Sequence, residues 1–179
     1  GAAHLVAAVS EALVGVASQL ASDDVGPKVL TLVLNLAHDN ESDENRVTAT
    51  QVLGAIAPIV TAELCSQFVV PELIVLADGP AFRVRKAAAL RMGGLCAVIG
   101  EQQAQQRLLS VYETLAHDEI WGVRKAAVEA LPEVAVALPL EVRAASLVPL
   151  LHELYVDGSR WVRISSCQAL GPFLASLPS

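Results

Sequence analysis

Four arginines, Arg46, Arg85, Arg124 and Arg163, follow one another at intervals of 39 residues, and each comes a few residues after an aspartate, Asp39, Asp78, Asp118 or Asp157. A guanidinium and a carboxylate at fixed spacing can join in a charge-assisted bond or hold a partner's acid. Beside them stand Phe82, Arg83, Trp121, Arg160 and Trp161, in a chain that is only 4% aromatic. Trp and Arg are the residue types that carry most interface energy, so this grouping points to binding.

Each of these residues also has a plainer role open to it. An arginine near a helix N-terminus is disfavoured by the helix dipole, and the aspartates of the same or the adjacent repeat could offset that cost in a ladder of ion pairs. The indoles either fill the wedge between neighbouring repeats or face another protein. Phe82 falls 39 residues before Trp121, which assigns the two a shared role of either kind. Arg83, Arg85, Lys86, Arg124, Lys125, Arg160 and Arg163 make one edge locally positive, as a solvated face or as a surface that steers an acidic partner.

Catalytic chemistry finds little footing. His38 and His117 each precede an aspartate and His152 precedes Glu153, but helical-repeat metalloenzymes rely on several convergent His-Glu pairs. The chain has no H-E-x-x-H, no Gly-rich phosphate loop and no G-x-S-x-G. Ser165, Ser166 and Cys167 lie in a helical core pattern without a base beside them. We therefore expect no enzyme, no metal and no cofactor. A net charge of -7 and a pI near 5.0 argue against nucleic acid.

Cys65, Cys96 and Cys167 form no C-x-x-C pair and are read as reduced, buried thiols of an intracellular protein. Asn35, Gln51, Glu63 and Glu72 interrupt the best apolar runs, so no membrane span is expected. The opening GAAHLVAAVSEALVG lacks a basic region and holds Glu11, which makes a poor signal peptide. Cytoplasm, with the nucleus as a second site, is the expected location.

What must position these residues is a repeated helical pair. Three residues after each arginine come Ala49, Ala88, Ala127 and Ser166, and seven after come Leu53, Met92, Leu131 and Leu170. Upstream run Leu30, Val69, Leu108 and Leu147, then Leu34, Leu73, Tyr112 and Leu151, then Ala37, Leu76, Leu115 and Leu154. Steps of four and three keep one helical face. First helices are predicted near 26–38, 63–77, 102–117 and 140–156, bent at Pro71 and Pro149. Second helices are predicted at 43–57, 80–98, 119–137 and 159–176, with an earlier one near 3–21 and the turn aspartates at helix starts.

Hairpins this small cannot bury their apolar faces alone and must stack. The fold class is therefore all-α: an α-α superhelix, or solenoid, of antiparallel hairpins. The expected organisation is one array over residues 1–179, with a partial repeat at 1–22 and repeats at about 23–60, 61–100, 101–138 and 139–179. Neither end shows a polar capping repeat, so a longer solenoid is expected around it.

The recurring order of Asp, Val-Arg, Ala and Leu after VPELIVLAD or LVPLLHELY resembles a HEAT repeat. DEIWGVRKAAVEAL, SRWVRISSCQALGPFLASL and FRVRKAAALRMGGLCAVIGEQ further resemble the HEAT-repeat regulatory and scaffold subunits of protein phosphatases 4 and 2A. That resemblance implies a non-catalytic platform for a serine/threonine phosphatase catalytic subunit, and for its substrates. It also implies that the intra-repeat turns, at 39–45, 78–83, 118–122 and 157–161, form the ridge that meets partners. The first of these, DNESDEN, departs from the others in being acidic and lacking an aromatic. A general HEAT adaptor or transport receptor shares every periodic feature and is the alternative.

Overall fold

A computed structural model of the chain describes Gly15 and residues 30–177. Apart from Gly15, the helix expected at 3–21 and the partial repeat at 1–22 lie outside the described residues, as do the first residues of the helix expected at 26–38. The described elements are helical throughout. They fall into two compact units, Gly1–Ala88 and Ala89–Ser179. This division cuts through the repeat expected at 61–100, where its second helix is interrupted at Leu90 and Arg91.

In the first unit, α1 (Thr31–Ala37) is followed by α2 (Asp43–Ile56). The side chain of Ser42 caps α2 by accepting the Asn45 N–H at 3.2 Å, and Asp43 and Glu44 in the first turn favour the positive dipole end. Buried Thr48 and Thr50 donate their hydroxyls to the Glu44 and Arg46 carbonyls at 2.8 Å, so neither leaves an unpaired polar group in the core. A short lead, Ala62–Leu64, and a π-helical turn, Cys65–Val69, bring the chain to α3 (Val70–Ala77), with α4 (Phe82–Ala89) after it. Val33, Val52, Leu53, Ile56, Val69 and Leu73 are fully buried or nearly so.

The second unit repeats this order. It opens on α5 (Met92–Ile99) and continues through a lead, Glu101–Gln103, and a π turn, Ala104–Leu108, to α6 (Leu109–Ala116) and α7 (Trp121–Val136). A second lead, Leu140–Val142, and a third π turn, Arg143–Leu147, precede α8 (Val148–Tyr155) and α9 (Arg160–Leu174). Gly100, at φ 82°, makes the tight junction between α5 and its successor, a backbone region that only glycine enters without strain. Met92, Leu95, Leu108, Leu115, Leu131, Leu147 and Phe173 fill the core. Gly93 lets α5 lie directly against α7: a Cβ there would stand 2.4 Å from the Glu133 Cβ.

Two expectations need correction. The break in the first helix falls at a π turn just before Pro71 and Pro149, but it does not require a proline. Both prolines sit at the second position of the α segment that follows a π turn. Ser110 holds the corresponding position in α6, and the same π turn precedes it. The break is a property of the repeat. Cys65 and Cys96 are buried as expected, but Cys167 is exposed on α9. It follows the buried pair Ser165 and Ser166, and the helical rotation of one more residue carries it off the core face.

Candidate protein-binding edge

The residues singled out in the sequence lie, each in its own repeat, in the first turns of the second helices. Phe82 and Trp121 are the first residues of α4 and α7, and Arg160 and Trp161 open α9. Phe82, Trp121 and Trp161 are 44%, 48% and 44% exposed, and Arg83 and Arg160 are exposed too. Trp121 decides most, because α8 and α9 follow it in the same unit and still leave half its surface in solvent. The Arg160 guanidinium carbon lies 4.3 Å from the centre of the Trp161 ring, a cation–π contact that holds the indole against its helix.

The arginine column behind these side chains fixes the turns. Arg85 donates from Nη1 to the carbonyls of Gly79 (3.0 Å) and Pro80 (2.9 Å), and Arg124 donates from Nη1 to those of Asp118 (2.8 Å) and Glu119 (3.1 Å). Arg163 repeats the clamp on Asp157 (2.7 Å) and Gly158 (3.1 Å). Two turn carbonyls aimed at the guanidinium are what offset its unfavourable position at a helix start.

Arg124 also forms an ion pair with the next hairpin. Its Nε and Nη2 donate to Asp157 Oδ2 and Oδ1 at 2.7 and 2.9 Å, a bidentate fork with side chains only 19% and 10% exposed. Asp157 bonded to this guanidinium is held below the usual carboxylate range, and Arg124 is raised by the same bond. The turn aspartates do not cap the helices directly. Asp39, Asp118 and Asp157 each accept, at Oδ1, the backbone N–H two residues on, from Glu41, Ile120 and Ser159 at 2.9, 2.8 and 2.7 Å. These are Asx turns, which shape the chain before the helix begins. Asp39 is held low, first by its bond from Asn45 Nδ2 at 2.7 Å.

The ladder is not uniform, and Arg46 and Asp78 depart from it. Among the described residues no bond joins them: Arg46 Nη2 pairs with Asp43 on its own helix. The step from Asp78 to Asp118 is 40 residues, not 39, so the position that matches Asp118 and Asp157 is Gly79, which has no carboxylate. Asp78 cannot form the Asx turn either, since the residue two on is Pro80.

The histidines serve as links between first helices. His38 Nε2 meets Glu72 Oε2 at 2.9 Å, and His117 Nε2 meets Glu153 Oε2 at 2.9 Å while its Nδ1 faces the Glu113 carbonyl at 2.8 Å. Both nitrogens of His117 face acceptors, so the doubly protonated ring is favoured and its pKa is raised, chiefly by Glu153. Glu153 thus answers His117 across the hairpins, not its neighbour His152. Among the described residues, no group of three His, Cys, Asp or Glu side chains could hold a metal ion, and no helix is long and apolar enough to cross a membrane.

Two structural residues escaped the sequence reading. Arg143 donates to the carbonyls of Leu138 (2.8 Å), Val136 (3.1 Å) and Ser176 (2.5 Å), closing the C-terminal ends of α7 and α9. Tyr112 stands in a leucine column, fully buried, and donates its hydroxyl to the Ala127 carbonyl of α7 at 2.8 Å. Burial drives its pKa up. The signal for Tyr112 was the lone polar tip in an apolar column, and for Arg143 a cation 39 residues after Ala104.

No family model matches the chain. Over 154 residues it is 33% identical to serine/threonine-protein phosphatase 4 regulatory subunit 1 of Mus musculus, a match that covers 86% of this chain and 16% of that protein. The Homo sapiens protein of the same name matches equally. A protein phosphatase PP2A regulatory subunit of Saccharomyces cerevisiae is 32% identical over 136 residues, with 76% and 21% coverage. The chain thus spans about a sixth of the length of the phosphatase 4 relatives. Among solved structures, Cex1p superposes with a TM-score of 0.73 at 12% identity over 89% of this chain and 30% of that one. A designed armadillo repeat protein in complex with the peptide (KR)4 gives 0.57 at 23% identity, with 81% and 64% coverage. The described residues form an all-helical repeat fold of the armadillo and HEAT kind, and the chain is similar over most of its length to regulatory subunits of serine/threonine phosphatases.

Proposed function

We propose that the chain is a non-catalytic scaffold or regulatory segment of a serine/threonine phosphatase complex, in the cytoplasm or nucleus. It engages the catalytic subunit through the first turns of its second helices, with Phe82, Arg83, Trp121, Arg160 and Trp161 as the contact residues. The observation that carries this reading is Trp121. A large aromatic half in solvent, anchored on a turn that Arg124 clamps from behind, is rigid before any partner arrives and loses little entropy on binding. The similarity to phosphatase regulatory subunits supplies the class of partner.

Hydrogen exchange on the chain, alone and with purified phosphatase 4 or 2A catalytic subunit, tests it. Slower exchange is expected at the helix-start amides of 82–85, 121–124 and 160–163. Protection confined to other surfaces, or none with either phosphatase, would reject this edge as the binding face.

A further inference from the structure

Arg46 occupies the same place in α2 that Arg124 occupies in α7, and its surroundings lack what Arg124 has. The carboxylate that fills Arg124's fork stands 33 residues after it, and 33 residues after Arg46 stands Gly79. Among the described residues no turn carbonyl accepts from the Arg46 guanidinium, whose one hydrogen bond runs from Nη2 to Asp43. Its Nε is buried with no acceptor, on a side chain only 16% exposed. A buried donor without a partner is uncommon in folded proteins, and a guanidinium edge is a strong one. The Arg46 side chain also lines a half-open cavity of about 300 Å³, together with Ala37, His38, Asn40, Gly79 and Pro80, among others.

We propose that this cavity is a carboxylate-binding site, and that its ligand is an aspartate side chain of a protein partner. The aspartate pairs with the Arg46 guanidinium where that side chain lines the cavity, beside the Asp43 carboxylate on Nη2, as Asp157 pairs with Arg124. The rest of the lining, Val75, Leu76, Ala81 and Val84, is apolar and suits the small residues of a turn around the acid. The neighbouring stretch DNESDEN is acidic and repels a run of acids. The partner segment therefore presents a single aspartate in an otherwise neutral or basic sequence. The site does not depend on the phosphatase reading, and its test contains no phosphatase.

The test is a titration of the whole 15N-labelled chain, read at the Arg46 Nε–Hε resonance, which is assigned by its loss in Arg46→Gln. The probes are a blocked alanine–aspartate–glycine–lysine peptide, its asparagine counterpart and sodium acetate. The aspartate peptide should shift the resonance saturably and bind roughly tenfold or more tightly than the asparagine peptide, as an added charged bond implies. Acetate should bind more weakly than the aspartate peptide. A Cβ at Gly79 would meet only the Leu76 and Val75 carbonyls, at 3.4 and 3.8 Å, so Gly79→Asp fits the backbone. That variant should move the resonance without ligand, keep the helical circular dichroism and abolish the titration. No saturable shift, equal binding of the asparagine peptide, or an undiminished titration in Gly79→Asp would overturn the site. Acetate binding as tightly as the peptide would overturn the protein ligand in favour of a free carboxylate.

Discussion

Arg124 shows how one side chain serves both a turn and the next hairpin. Its guanidinium makes four hydrogen bonds, to two carbonyls and both oxygens of Asp157, with little of either side chain left in water. Asp157→Asn keeps the shape and removes the charge, and should lower unfolding free energy by about 2 kcal/mol, in the range of hydrogen bonds to charged groups. Denaturant titration of both forms measures it. The folded pKa of Asp157 is depressed, so its contribution is present above the unfolded value of about 3.9 and lost as pH falls through the folded one. Acid unfolding of the wild type should therefore carry a pH-dependent loss below about pH 4 that Asp157→Asn lacks. His117 works in the other direction. Its pKa is raised, so the link to Glu153 is complete below about pH 6.5 and weakens as pH rises through the folded value. Between pH 6 and 9 the wild type should lose more thermal stability than His117→Gln; equal losses would show that the link contributes nothing.

At the scale of the element, the recurring unit is a first helix broken by a π turn and packed against a second helix. The π turns begin at Cys65, Ala104 and Arg143, 39 residues apart, whether or not a proline follows. Ser110→Pro should thus be nearly neutral in thermal melts, because Pro71 and Pro149 already hold that position. Thr114→Pro, one turn further into α6, should cost about 3 kcal/mol or more. Gly93→Ala drives a methyl into the Glu133 Cβ and should cost roughly 1–3 kcal/mol, as overpacking does. The helices and their facing columns were legible because steps of three and four mark one face. The π turns were not, since one widened turn leaves those steps intact in the sequence. The mismatch at Arg46 lay in a single residue: the 40-residue step between Asp78 and Asp118, which aligned by type while the geometry aligned Gly79.

For the whole molecule, the sequence made the repeat and the edge residues visible because both recur. Whether an aromatic at that edge faces a neighbour or solvent depends on how closely hairpins stack, which no local pattern encodes. The structure answers for Trp121 and leaves it half exposed. The central claim is that this exposed edge binds a phosphatase catalytic subunit, and the most direct measurement is the affinity of purified phosphatase 4 or 2A catalytic subunit for the immobilised chain. The comparison is between the wild type, the double variant Trp121→Ala/Trp161→Ala, and Tyr112→Phe as a core control. Binding to the wild type, a loss of roughly 30-fold or more in the double variant, and unchanged binding of Tyr112→Phe are predicted. No binding to the wild type, or equal binding by the double variant, would contradict the account.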